Sequence, residues 1–128
     1  MSPELQDELA AMYPNIFSDL SDPARPPSCS LECGDGWFRL IERLCHSVQA
    51  LVDQQDIGQH VAQHMKEKFG GLRFYWYASD DRVDAMTDLA EALSHFICEV
   101  CGAPGVRNTR GWMSTRCDRH RDARGEST

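Results

Sequence analysis

At 128 residues the chain is long enough to bury a core within one domain without disulfide staples. Its 41% apolar and 26% charged residues are those of an ordinary globular protein, and no run approaches the ~18 apolar residues of a membrane span. A net charge of −7 excludes a chain that is basic throughout, of the kind that coats a phosphate backbone.

Met1-Ser2-Pro3-Glu4 has no basic region followed by an apolar run, so no secretory signal is expected and the location expected is a reducing cytoplasm. In that setting six cysteines read as free thiols and metal ligands rather than as a disulfide framework.

In chain order, Ser2 suits a helix N-cap and Pro3 the first helical position. A short helix is predicted from there to about Met12, with Leu5, Leu9 and Met12 on one face, ending where Tyr13 precedes Pro14. The N-terminal helical region is bounded at 1–18. Residues 19–34, with Pro23, Pro26, Pro27 and Gly34, read as a loop. Asp35 is the expected cap of a longer helix reaching about Gln54, with Trp37, Leu40, Ile41, Leu44, Val48 and Leu51 on one stripe.

A β-hairpin is predicted over 60–78. Leu72, Phe74 and Trp76 share one face, and Arg73, Tyr75 and Tyr77 the other, with Gly70-Gly71 at the turn. Val61, Gln63 and Met65 alternate weakly before it, and a helix over 59–68 is the competing reading. Asp80 or Asp81 then caps a second long helix. Val83, Met86, Leu89, Ala90, Leu93, Phe96 and Ile97 follow at helical steps up to Cys98. The fold expected is α+β: two amphipathic helices flanking a β-hairpin in a body over 35–97, then a zinc finger over 98–121 and a tail over 122–128, all in a single domain, 1–128.

The chemistry begins at Cys98. Cys98-x-x-Cys101, fifteen residues, then Cys117-x-x-His120 is a pair of ligand doublets at zinc-finger spacing. Gly102 suits the tight turn after the second cysteine. Val106 to Arg110 and Trp112 to Arg116 are the expected arms of a hairpin turning near Gly111. A knuckle, a hairpin and a doublet that opens a helical turn together resemble a treble-clef finger. Four protein ligands close the coordination of one structural Zn²⁺, which points to folding rather than catalysis. Iron–sulfur binding is disfavoured by the histidine. Loss of the fold on Cys101→Ala is expected.

Other groupings are weaker. Cys29 and Cys33, completed by Cys45 or His46, are a candidate second ligand set, although Cys45 on the amphipathic helix reads better as a core residue. His60 and His64 read as two partly exposed histidines. A Cys–His nucleophile pair is conceivable, for example Cys33 or Cys45 with His46, His60 or His95, but nothing around these cysteines signals an activated thiol. With no phosphate loop, nucleophile elbow or dinucleotide fingerprint, no enzyme is expected.

Charge is unevenly spread. Residues 1–101 carry 17 acidic and 7 basic side chains, whereas 102–128 carry six arginines against three acids. A hairpin whose aromatics build the core and whose charges face solvent is the favoured reading of Lys66–Tyr75 in so acidic a half of the chain. Basic and aromatic residues nevertheless interleave there, a mixture able to stack bases and hold phosphates. Lys66, Lys68, Arg73, Tyr75, Tyr77, Arg107 and Arg110 are therefore the candidate partner-binding residues.

Cys33-Gly34-Asp35-Gly36-Trp37, Lys66-Glu67-Lys68-Phe69-Gly70-Gly71-Leu72-Arg73-Phe74-Tyr75, and Cys98-x-x-Cys101-Gly102 with Trp112 and Cys117-x-x-His120 form a three-part signature. Over roughly residues 30–121 it resembles an uncharacterised family of small phage, prophage and bacterial zinc-binding proteins. The resemblance implies zinc and a host bacterial cell. It makes a protein-binding module the expected function, including an inhibitor of a host antiviral system such as CRISPR–Cas. The expected partner is a host protein or a protein–nucleic-acid complex. A nucleic-acid-binding or transcription-regulatory zinc protein is the alternative, and a cysteine- or metal-dependent enzyme the second.

Overall fold

A computed structural model describes residues 1–20, 24 and 31–121. Most of the predicted 19–34 loop, including Cys29, and the 122–128 tail lie outside the described residues.

Helix α1 spans Pro3–Met12, and the Ser2 hydroxyl accepts the Leu5 N–H at its start. Only Leu9 of its expected face is buried; Met12 is exposed. The turn after Pro14 does more for the core. Ile16 and Phe17, which no periodicity marks, are fully enclosed, and the Ile16 carbonyl accepts the Ala62 N–H at 2.8 Å. The Tyr13 hydroxyl donates to Glu42 at 2.6 Å and ties α1 to the next helix.

That helix, α2, covers Phe38–Asp53 and is entered through a single 3₁₀ turn at Asp35–Trp37. Asp35 does not cap it. Its carboxylate accepts the Ser2 N–H at 2.7 Å, while Trp37 occupies the cap position. Trp37, Ile41, Leu44, Cys45 and Val48 form the buried stripe, which makes Cys45 a core residue.

The hairpin is present as β2 (Ala62–Lys68) and β3 (Gly71–Trp76), antiparallel with Met65 opposite Phe74 and Lys66 opposite Arg73. A register shift between Ala62 and His64 turns both Ala62 and Met65 inward, so the expected alternation of Val61, Gln63 and Met65 does not hold. The two-residue loop is Phe69-Gly70, not Gly70-Gly71, with φ of +55° and +80°. Both values are positive, as a hairpin's twist demands. A short strand β1 (Leu31–Glu32), inside the region read as loop, pairs parallel to β2 and completes a three-stranded sheet in the order β1-β2-β3.

Helix α3 (Asp81–Ser94) is capped by Asp80, whose carboxylate accepts the N–H groups of Arg82 and Val83. It stops at Ser94, short of Cys98. Its buried stripe is Val83, Thr87, Ala90 and Ser94, while Leu89 and Phe96 are 60% and 68% exposed. Small and hydroxylated residues face inward because α3 lies along the open edge of β3. Ser94 Oγ accepts the Leu72 N–H at 2.9 Å, Glu91 that of Phe74, and Thr87 Oγ1 the Trp76 indole N–H at 3.0 Å. An edge that would invite another strand is thereby covered.

The core sits between α1, α2 and α3 and the inner sheet face formed by Met65, Leu72 and Phe74. No helix among the described residues is long and apolar enough to cross a membrane. The C-terminal part is a second, two-stranded sheet of β4 (Val106–Asn108) and β5 (Ser114–Arg116), followed by one helical turn, α4 (Asp118–Arg121).

Candidate metal centre

Two backbone turns present the four candidate ligands. Cys98 to Gly102 fold back on themselves: the Gly102 N–H donates to the Cys98 carbonyl at 2.9 Å, and the Cys98 N–H to Ala103 at 2.7 Å. Gly102 has φ +82°, which an L side chain seldom tolerates. Across the β4–β5 hairpin, Cys117 opens α4, and the His120 N–H donates to the Cys117 carbonyl at 3.1 Å, which sets the imidazole one turn beyond the thiol. The knuckle, hairpin and helical turn are arranged as in a treble clef.

The ligand atoms of Cys98, Cys101, Cys117 and His120 all lie within 4.8 Å of one another, the single such group among the described residues. Cys101 Sγ and Cys117 Sγ are 3.7 Å apart, Cys98 Sγ and His120 Nδ1 3.7 Å, and Cys117 Sγ and His120 Nδ1 3.2 Å. A tetrahedral ion with bonds of ~2.3 Å to sulfur and ~2.0 Å to nitrogen needs edges of about 3.5–3.8 Å. The observed separations match, so this group could hold a metal ion.

The electrostatics agree. Burial resists a charge on Cys98, but the backbone N–H groups of Cys117, Cys101 and Val100 outweigh it and bring the thiol down to about 6. At Cys101 the Ala103 N–H favours the thiolate, yet burial and the neighbouring Cys117 and Cys98 sulfurs push the pKa up. Thiols this close cannot all ionise without a cation between them, and a divalent ion removes that conflict.

What holds the clasp to the body is largely backbone. The Gly36 N–H donates to the Glu99 carbonyl at 2.9 Å and the Trp37 indole to the Ile97 carbonyl, just before the knuckle, at 2.9 Å; within the clasp the Glu99 N–H donates to the Thr115 carbonyl at 3.0 Å. A Cβ on Gly34 would lie 2.0 Å from the Glu99 carbonyl oxygen, and one on Gly36 2.1 Å from that of Cys98. Glu99 is buried and meets Arg116 Nε at 3.4 Å. No periodicity marks this buried pair; a charged residue inside the Cys98–Cys101 doublet is its trace in the sequence. The Cys33–Trp37 segment, one part of the three-part signature, is the seat of the knuckle.

The remaining candidates separate. Cys33 and Cys45 are buried in the body, and burial raises both thiols, Cys33 to about 12. His46 is exposed on α2. His60 is only 3% exposed, edge-on to Trp76 at 5.9 Å with Nδ1 on the Gly58 carbonyl, which corrects the expectation of partial exposure. His64 instead stacks on Tyr75. The register shift between them sends the two histidines to different surroundings.

Among the candidate partner residues, Lys66 and Arg73 are cross-strand partners, and Arg73 lies near the Glu91 carboxylate. Tyr75 and Tyr77 are exposed, with the Tyr77 hydroxyl on Asp19 at 2.8 Å. Lys68 lies at the hairpin tip with Arg107, whose Nε donates to the Phe69 carbonyl at 3.0 Å, and Arg110 is in the exposed loop between β4 and β5. The structure thus brings Lys68 and Arg107 together and sets Arg73, Tyr75 and Tyr77 along the strand away from them. No protein-family model, no curated protein and no solved structure matches the chain.

Proposed function

We propose that this chain is a zinc-stabilised recognition module in which the ion is structural and the surfaces positioned by it do the binding. The single observation that carries the reading is the closed Cys98–Cys101–Cys117–His120 group, its ligand atoms within 4.8 Å of one another. Three thiolates and an imidazole suit zinc, and four protein ligands leave no position for water or substrate.

The segment that the ion would fold needs it. In Cys98–Arg121 the buried side chains are Cys98, Glu99, Ser114 and Thr115, with no large apolar residue among them. A segment with so little core gains its stability from the ion. The raised thiols of Cys33 and Cys45 make poor nucleophiles, which favours a binding protein over a cysteine enzyme. The resemblance to phage and prophage proteins supports a host protein–nucleic-acid assembly as the partner, an antiviral complex being the finer form of that reading.

Elemental analysis of the purified chain tests the metal. The expected result is one zinc per chain, replaced by cobalt with thiolate charge-transfer absorption and lost in Cys117→Ser. A chain that is fully folded through residue 121 with no metal bound refutes the reading.

A further inference from the structure

We propose that the joined tips of the two hairpins form a docking surface for single-stranded nucleic acid. The surface rests on the zinc-stabilised module proposed above, because the clasp holds the second tip against the first.

Side chains of the second hairpin lock onto the backbone of the first turn. Thr115 Oγ1 donates to the Gly70 carbonyl at 2.6 Å, Arg107 Nε to that of Phe69 at 3.0 Å, and a Cβ on Gly70 would lie 3.0 Å from the Ser114 backbone. Between them is an open cavity of about 370 Å³ whose walls include Phe69, Trp112, Met113 and Lys68. Phe69 is 54% exposed and Trp112 64%, so neither ring is there to fill the core. Phe69 is moreover an aromatic residue at φ +55°, where Asn or Gly is the usual choice. Backbone strain without any gain in burial is a mark of a functional position.

Charge selects the partner. In a chain of net charge −7, Lys68 and Arg110 lie at the two tips and Arg107 on β4 against the first turn, with Lys68 Nζ 5.4 Å from the centre of the Phe69 ring. One acid, Glu67, shares the cavity wall, its carboxylate accepting the Gly70 N–H at 2.7 Å. Exposed aromatic faces edged by cations bind unpaired bases by stacking while the cations hold the phosphates. A duplex hides its base faces, so it cannot use the rings.

The test titrates a short fluorescein-labelled oligothymidylate with the full chain as purified, with zinc measured on the same sample. Binding is expected to weaken with salt at a log–log slope of about −2, as three neutralised phosphates give for a single strand. Trp112→Ala should keep its zinc and bind about tenfold more weakly or worse. Phe69→Asn, which suits the turn, should weaken binding similarly. Absent or salt-insensitive binding overturns the proposal, as does a Trp112→Ala chain that binds like the parent. Polyglutamate competing as well as the oligonucleotide would also overturn it, in favour of an acidic protein. A zinc-loaded chain that does not bind refutes the surface and spares the clasp; a zinc-free chain that binds refutes the clasp alone.

Discussion

Gly34 and Gly36 receive the knuckle because a hydrogen atom is all that fits. Their absent side chains would strike the carbonyl oxygens of Glu99 and Cys98, which are backbone and cannot swing aside. Gly34→Ala and Gly36→Ala should each destabilise the chain by about 3 kcal/mol, at the upper end of overpacking costs. Thermal melts read the loss, and a melting temperature unchanged in both variants would contradict the packing described. The buried thiols make a second residue-scale prediction. Burial raises Cys33 from 9.0 to about 12, so folding favours its protonated form. Its contribution is complete below pH ~9, the unfolded thiol's range, and is lost as pH rises toward 12. An alkaline unfolding titration should show this decline, and Cys33→Ala should flatten it. In the neutral folded chain Cys33 and Cys45 should resist thiol reagents until unfolding.

At the scale of elements, two features separate packing from pattern. Helix α3 turns Val83, Thr87, Ala90 and Ser94 inward, and its hydroxyls serve β3 rather than its own backbone alone. Thr87→Val preserves the shape but leaves the Trp76 indole N–H without its acceptor; a cost of about 1–2 kcal/mol is expected from urea midpoints. The hairpin turn makes the opposite prediction. Phe69→Asn should raise stability by about 0.5–1 kcal/mol, because asparagine tolerates the left-handed conformation that phenylalanine resists. Greater stability with weaker ligand binding in one variant would set the turn's sequence under function rather than folding. A drop in the urea midpoint would remove the strain argument.

For the whole molecule, the distribution of the core decides what the proposed metal would do. The buried apolar cluster runs from Leu9 to Ala90 and includes nothing from the clasp. Metal removal should therefore melt residues 98–121 while α1, α2 and α3 persist, a narrower outcome than the loss of the entire fold expected from the sequence. Under a strong chelator most of the far-ultraviolet helical signal should remain. Amide exchange should lose its protection at Glu99 and Gly102 but keep it in α2 and β3. Complete loss of helical signal on chelation would show that the body depends on the clasp as well.

The Cys/His group that could hold a metal, the two long helices and the hairpin were legible because each is written in local spacing. A doublet repeats every three residues, an amphipathic helix about every 3.6, and a strand every two. Those periods located Cys98 to His120, the Trp37–Val48 stripe and the Leu72–Trp76 face without any knowledge of the fold. Contacts made across the chain left no such trace. Strand β1 is two residues long and exists only because β2 pairs with it. Ile16 and Phe17 are buried by elements distant in sequence, and the apolar steps of α3 conceal that β3 needs its hydroxyls. Only tertiary structure seats the knuckle on Gly34 and Gly36 and joins Phe69 to the loop of Trp112, because backbone contacts between distant segments depend on shape rather than on period.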